Sequence, residues 1–142
     1  MSNVNYISKR PLMIGAGCPD NFVGQTELTA TERNDYNGRG YILSYSRQMP
    51  LGEAEKMELL KLLDDSEVAN FTSNMMGNIE HNFELDKVRG FAYSDNDKDR
   101  SKAYDYMVKN YIPSFLKAWC LFLTPKQFDS VKEGLKVKLN LA

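Results

Sequence analysis

The chain changes its hydrophobic rhythm at Met49-Pro50. Before that point apolar and polar residues alternate; after it, apolar residues recur every three or four positions. Alternation is the signature of a half-buried strand and the 3–4 spacing that of an amphipathic helix. "FVGQTELTATER" places Thr26, Leu28 and Ala30 on one side. "GRGYILSYSR" sets Tyr41, Leu43 and Tyr45 against Ile42, Ser44 and Ser46. Between them Asn37-Gly38 tolerates the positive φ of a tight turn. The pattern predicts a hairpin near 25–47. "RPLMIG" at 10–15 reads as a further short strand, with Pro11 at a position that needs no ladder donor.

After the proline, "LGEAEKMELLKLLDD" predicts a helix with Met57, Leu60 and Leu63 on one face, widened by Leu59 and Leu62. A second helix is capped by Asp65 or Ser66 and carries the stripe Val68, Phe71 or Thr72, Met75, Ile79 and Phe83. Gly77 weakens its middle by ~1 kcal/mol relative to alanine. Residues 85–93 fit helix or strand, and the Gly90 break favours a short strand. A third helix near 98–112 groups Ala103, Tyr104, Met107, Val108 and Tyr111, and Pro113 ends it or opens the next. "SFLKAWCLFL" is apolar nearly all round and reads as the most buried helix. Thr124-Pro125 starts a last helix through about Lys136. The expected class is α+β: an N-terminal β-hairpin or small antiparallel sheet (about 10–47), then a mainly helical bundle of four to five helices.

Length and composition fit this reading. The 142 residues, 42% hydrophobic and 26% charged, suit a single compact domain spanning 1–142. Two cysteines, Cys18 and Cys120, make no disulfide framework and no CxxC motif. The N-terminal Lys9-Arg10 pair precedes too few apolar residues for a signal-peptide core of roughly 7–15. "AWCLFL" falls far short of a membrane span of about 18 residues. A soluble cytoplasmic protein with reduced thiols, not associated with a membrane, is the expectation.

Charge alters the picture more. The net value is −1, yet residues 51–90 carry nine acidic and four basic side chains, and residues 91–142 nine basic and six acidic. Such polarity suits electrostatic docking.

Candidate chemistry is thin. His81, the single histidine, stands beside Glu80 and three residues before Glu84, in H-x-x-E order with no second copy. Cys18, in "GAGCPDN", has His81 as its one conventional activating base. "SDNDKDRSKAYDY" puts Asp95, Asp97 and Asp99 at calcium-loop positions 1, 3 and 5. Arg100 then occupies the glycine position and Tyr106 the closing ligand. This stretch reads instead as a loop in which Asp95 or Asp97 caps the third helix. No cofactor, metal site or catalytic residue is assigned.

What remains is a non-enzymatic protein-binding module. Its partner contacts are expected at Glu53, Glu55, Glu58, Asp64 and Asp65, and on the hairpin at Tyr36, Tyr41 and Arg39, the last exposed at the turn. A concrete version is a small inhibitor from a phage or mobile element that occupies a host nuclease or defence protein. The alternative is a nucleic-acid-binding module, in which Tyr36, Arg39, Tyr41, Tyr45 and Arg47 work with the basic C-terminal third. A small enzyme built on Cys18 and His81 ranks last.

Overall fold

A computed structural model describes residues 3–12, 21–81 and 85–141. The class is α+β. The chain divides into two compact units: residues 1–62 with 118–124, and residues 63–117 with 125–142.

The first unit is built on a mixed sheet of five strands rather than a hairpin. In chain order these are β1 (Val4–Ser8), β2 (Phe22–Glu27), β3 (Tyr41–Tyr45), β4 (Leu60–Leu62) and β5 (Leu121–Phe122). Their spatial order is β2-β3-β1-β4-β5, antiparallel except for the β4–β5 pair. The expected β2–β3 pairing is present, with Thr26 opposite Ile42 and Glu27 opposite Tyr41.

Its connection differs from a two-residue turn. Helix α1 (Ala30–Arg33) follows a capping box in which Thr29 Oγ1 accepts from the Glu32 N–H and Glu32 accepts from the Thr29 N–H. A 3₁₀ turn (Asn34–Tyr36) continues it, and Asn37 and Gly38 take φ of 58° and 76° at its end. The Asn-Gly pair therefore supplies positive φ as expected, but closes a helical turn. The strand expected at 10–15 is not formed at Arg10–Leu12, and residues 13–15 lie outside the described residues. The strand falls earlier, at β1.

The helix predicted from residue 51 is also shorter. Helix α2 (Leu51–Lys56) ends where Glu58 adopts φ 57°. The following leucines form β4, between β1 and β5, and the Lys61 N–H donates to the Cys120 carbonyl at 2.7 Å. A short apolar run satisfies either period, and hydrogen-bond partners on both sides decide for the strand. Tyr6, Leu43, Tyr45, Met49, Ala54, Leu59 and Cys120 form the buried core of this unit.

The second unit is helical. Helix α3 (Asp65–His81) buries Phe71, Thr72, Met75 and Ile79, as its stripe predicts, and Met76 besides, while Val68 is half-buried. Its cap is Asp64, not Asp65 or Ser66: Asp64 Oδ1 accepts from the Glu67 N–H, and Glu67 accepts from the Asp64 N–H. Phe83 lies outside the described residues. Residues 86–92 form helix α4 (Asp86–Ala92), not a strand, because Leu85, Val88 and Ala92 share one buried face at i, i+3, i+7.

Helix α5 (Asp97–Tyr106) is capped by Asn96, whose Oδ1 accepts from the Lys98 N–H, rather than by Asp95 or Asp97. A π-turn (Met107–Tyr111) joins it to α6 (Ile112–Ala118), the Ile112 N–H donating to the Met107 carbonyl. Proline at 113 lacks an N–H and crowds the carbonyl four residues back, and a widened turn carries the helix past it. The segment expected as the most buried helix instead has half-buried Phe115 and Leu116 and an exposed Trp119. It stops at Ala118, before Cys120 at φ 50° and strand β5. Helix α7 (Pro125–Lys138) lies close enough to α3 that a Cβ at Gly134 would stand 2.9 Å from Thr72 Oγ1.

Candidate functional site

The predicted contact residues separate. Glu53 and Glu55 are exposed on α2, and Glu58 on the corner after it, in the first unit. Asp64 and Asp65 are exposed at the start of α3 in the second, where Asp64 is committed to its cap.

The hairpin residues are less available than expected. Arg39 is buried, with 9% of its surface exposed, whereas a turn tip was expected to present it to solvent. Tyr36 is half-buried with its ring 6.3 Å from that of Phe122, and Tyr41 is half-buried against the core. Tyr45 is fully buried between Tyr6 and Phe22. A stacking platform along this hairpin would need those rings in solvent.

The structure brings two of the predicted residues together at Glu58. Its backbone takes the left-handed conformation that favours glycine, and two arginines hold it. Arg10 Nη2 lies 3.1 Å from the Glu58 carboxylate, and Arg39 Nη1 donates to the Glu58 carbonyl at 2.6 Å. The Arg10 pair is exposed on both sides, so its contribution is small, about 0–1 kcal/mol. Arg39 differs. Its Nε is buried without a hydrogen-bond partner, and no carboxylate pairs with its guanidinium among the described residues. Burial pulls its pKa below the ordinary arginine value, and the Glu58 charge opposes that shift.

Beside this corner is a half-open pocket of about 200 Å³, lined by Ser8, Arg10, Pro11, Leu12, Leu43, Met57 and Leu59. Leu43 and Leu59 are buried and form its apolar base. The wall at 10–12 is held from two directions. Ser8 Oγ donates to the Arg10 carbonyl at 2.6 Å and accepts from the Arg10 N–H at 3.2 Å. The Gln25 side chain accepts from the Leu12 N–H at 2.8 Å and donates to its carbonyl at 3.1 Å.

Comparison with protein-family models, with curated proteins and with solved structures returns no match. The site therefore rests on its own geometry.

Sequence reasoning missed this pocket. Arg10 was notable only as half of a basic pair, and Ser8 and Gln25 carried no signal. Residues 8–12, 25, 43 and 57–59 are far apart in sequence and meet only in the folded first unit. The weighed enzymatic groups do not converge here. His81 is exposed at the end of α3, and Cys18 and Glu84 lie outside the described residues. Among the described residues no three His, Cys, Asp or Glu side chains are grouped to hold a metal ion.

Several acids of the second unit serve local structure. Glu80 accepts from the Tyr93 hydroxyl at 2.5 Å, and Asp86 pairs with Arg89. Around Asp95–Asp99, Ser94 Oγ donates to Asp99 and Arg100 pairs with Asp97. Cys120 is buried, and that burial raises its thiol pKa, with Glu55 adding to the effect.

Proposed function

We propose that the protein is a non-enzymatic binding module that presents the carboxylates of Glu53, Glu55 and Glu58 to a basic surface on a partner protein. The carrying observation is the corner at Glu58, whose backbone Arg39 holds through the carbonyl at 2.6 Å while the exposed carboxylate makes only a weak pair with Arg10. Two exposed glutamates on the adjoining two-turn helix extend the same charge. A carboxylate whose backbone is already held loses less conformational entropy on binding than one on a free loop. Complementary charge of this kind favours rapid, salt-sensitive capture. A small inhibitor that covers the basic groove of a nucleic-acid enzyme, encoded by a phage or another mobile element, is the concrete form of this reading.

The test compares affinity capture from the source cells by the wild-type chain and by a Glu53→Lys, Glu55→Lys, Glu58→Lys variant. Partners enriched by the wild type should be lost from the triple variant while its circular dichroism is retained. Equal capture by both would remove these acids from the interface. A gel shift with the purified protein separates the alternative: tight DNA or RNA binding with a steep salt slope would favour direct nucleic-acid recognition.

A further inference from the structure

We propose that the pocket beside Glu58 binds a residue-sized apolar group that carries a carboxylate, such as the last residue of a peptide ending in leucine. This goes beyond the acidic-face reading and does not depend on it.

Size comes first. At about 200 Å³ the pocket is smaller than the ~300–1,000 Å³ typical of drug-sized ligands, and suits one branched aliphatic side chain. Its base of Leu43 and Leu59, with Met57 and Leu12 at the sides, gives such a group apolar surface to cover.

Charge selects the rest of the ligand. Among the described residues Arg10 is the one charged side chain in the lining, and it is the cation an incoming carboxylate would meet. Arg39 Nη1 is anchored on the carbonyl of Glu58, the residue between the lining Met57 and Leu59. Arg10 is 75% exposed at the mouth, and its pair with Glu58 is weak enough to exchange for an incoming carboxylate.

The site is also preorganised. Ser8 and the Gln25 amide fix the backbone of the wall at residues 10–12, so closure on a ligand orders little further chain.

The experiment is a ¹⁵N–¹H NMR titration of the full chain with N-acetyl-leucine, N-acetyl-leucinamide and a short acetylated peptide ending in Leu-COOH. The acids should give saturable shifts centred on Ser8, Arg10, Leu12, Met57 and Leu59, with Kd in the millimolar range or below. The amide should bind roughly tenfold more weakly, the worth of one charge-assisted hydrogen bond. Arg10→Gln, at an exposed position, should weaken the acids toward the amide and leave the amide unchanged. Glu53→Lys with Glu55→Lys should leave acid binding intact, which separates this proposal from the acidic face. A peptide tighter than N-acetyl-leucine identifies a chain terminus as the ligand source; equal affinity identifies a free acid. Absence of saturable shifts at these amides, or equal affinity for acid and amide, overturns the proposal.

Discussion

At the scale of single residues, Arg39 and Glu58 bear on each other. Arg39→Ala would leave the Glu58 carbonyl without its 2.6 Å donor, and is expected to lower stability by about 1–3 kcal/mol in urea unfolding. Unchanged stability would mean that the buried guanidinium costs as much in desolvation as its bond returns. Glu58→Gly acts oppositely. It relieves a left-handed φ at the loss of an exposed ion pair, so stability should stay level or rise by up to ~1 kcal/mol. Tyr93 gives a titration readout. Its hydrogen bond to Glu80, then burial, then the Glu80 charge hold its pKa above the ordinary tyrosine value. The folded chain therefore keeps this proton at pH values where the unfolded chain releases it. The stabilisation is complete below the unfolded pKa and is lost as pH rises through the folded one. An ultraviolet absorbance titration of wild type minus Tyr93→Phe should isolate a late-ionising phenol. Glu80→Gln should move it earlier; a phenol already titrating normally in the wild type would remove the interaction.

At the scale of elements, two helical glycines make opposite demands. An added Cβ at Gly77 in α3 meets nothing within 4 Å, so Gly77→Ala should stabilise the chain by ~0.5–1 kcal/mol. At Gly134 in α7 the same methyl group would stand 2.9 Å from Thr72 Oγ1, and Thr72 is buried on α3. Gly134→Ala should cancel its helix-propensity gain or reverse it, by about 1–3 kcal/mol of overpacking. Thermal unfolding of the two variants measures the contrast, and equal shifts would mean that α3 and α7 approach less closely than described. The caps carry a related lesson. Sequence reasoning placed α3 and α5 well but chose cap residues one or two positions away. Asp64 and Asp65, like Asp95, Asn96 and Asp97, are chemically interchangeable as caps, and the backbone entering the helix selects among them.

At the scale of the whole molecule, the sheet is completed by chain from far along the sequence. Strand β5 pairs in parallel with β4, Lys61 opposite Leu121, and the intervening crossover contains α3 to α6. Parallel pairing requires such a crossover. A chain ending at Leu62 keeps β1 to β4 but loses β5 and the Cys120 carbonyl that accepts from Lys61. It should expose β4 as an unprotected leucine-containing edge and associate at micromolar concentrations, as light scattering would register. A monodisperse, well-folded fragment would show that β5 is dispensable.

The sequence by itself determined the α+β class, the β2–β3 pairing and helices α3, α5 and α7. Their evidence is local: alternation or 3–4 spacing over enough residues to exclude the other period. It also grouped the exposed acids of α2. Tertiary structure alone decided that "LKL" at 60–62 is a strand, because its hydrogen-bond partners come from residues 6–7 and 121–122. It likewise buried Arg39 and Tyr45 and assembled the pocket. Each outcome depends on which distant groups supply hydrogen bonds or exclude water, and periodicity within one segment carries no record of those partners.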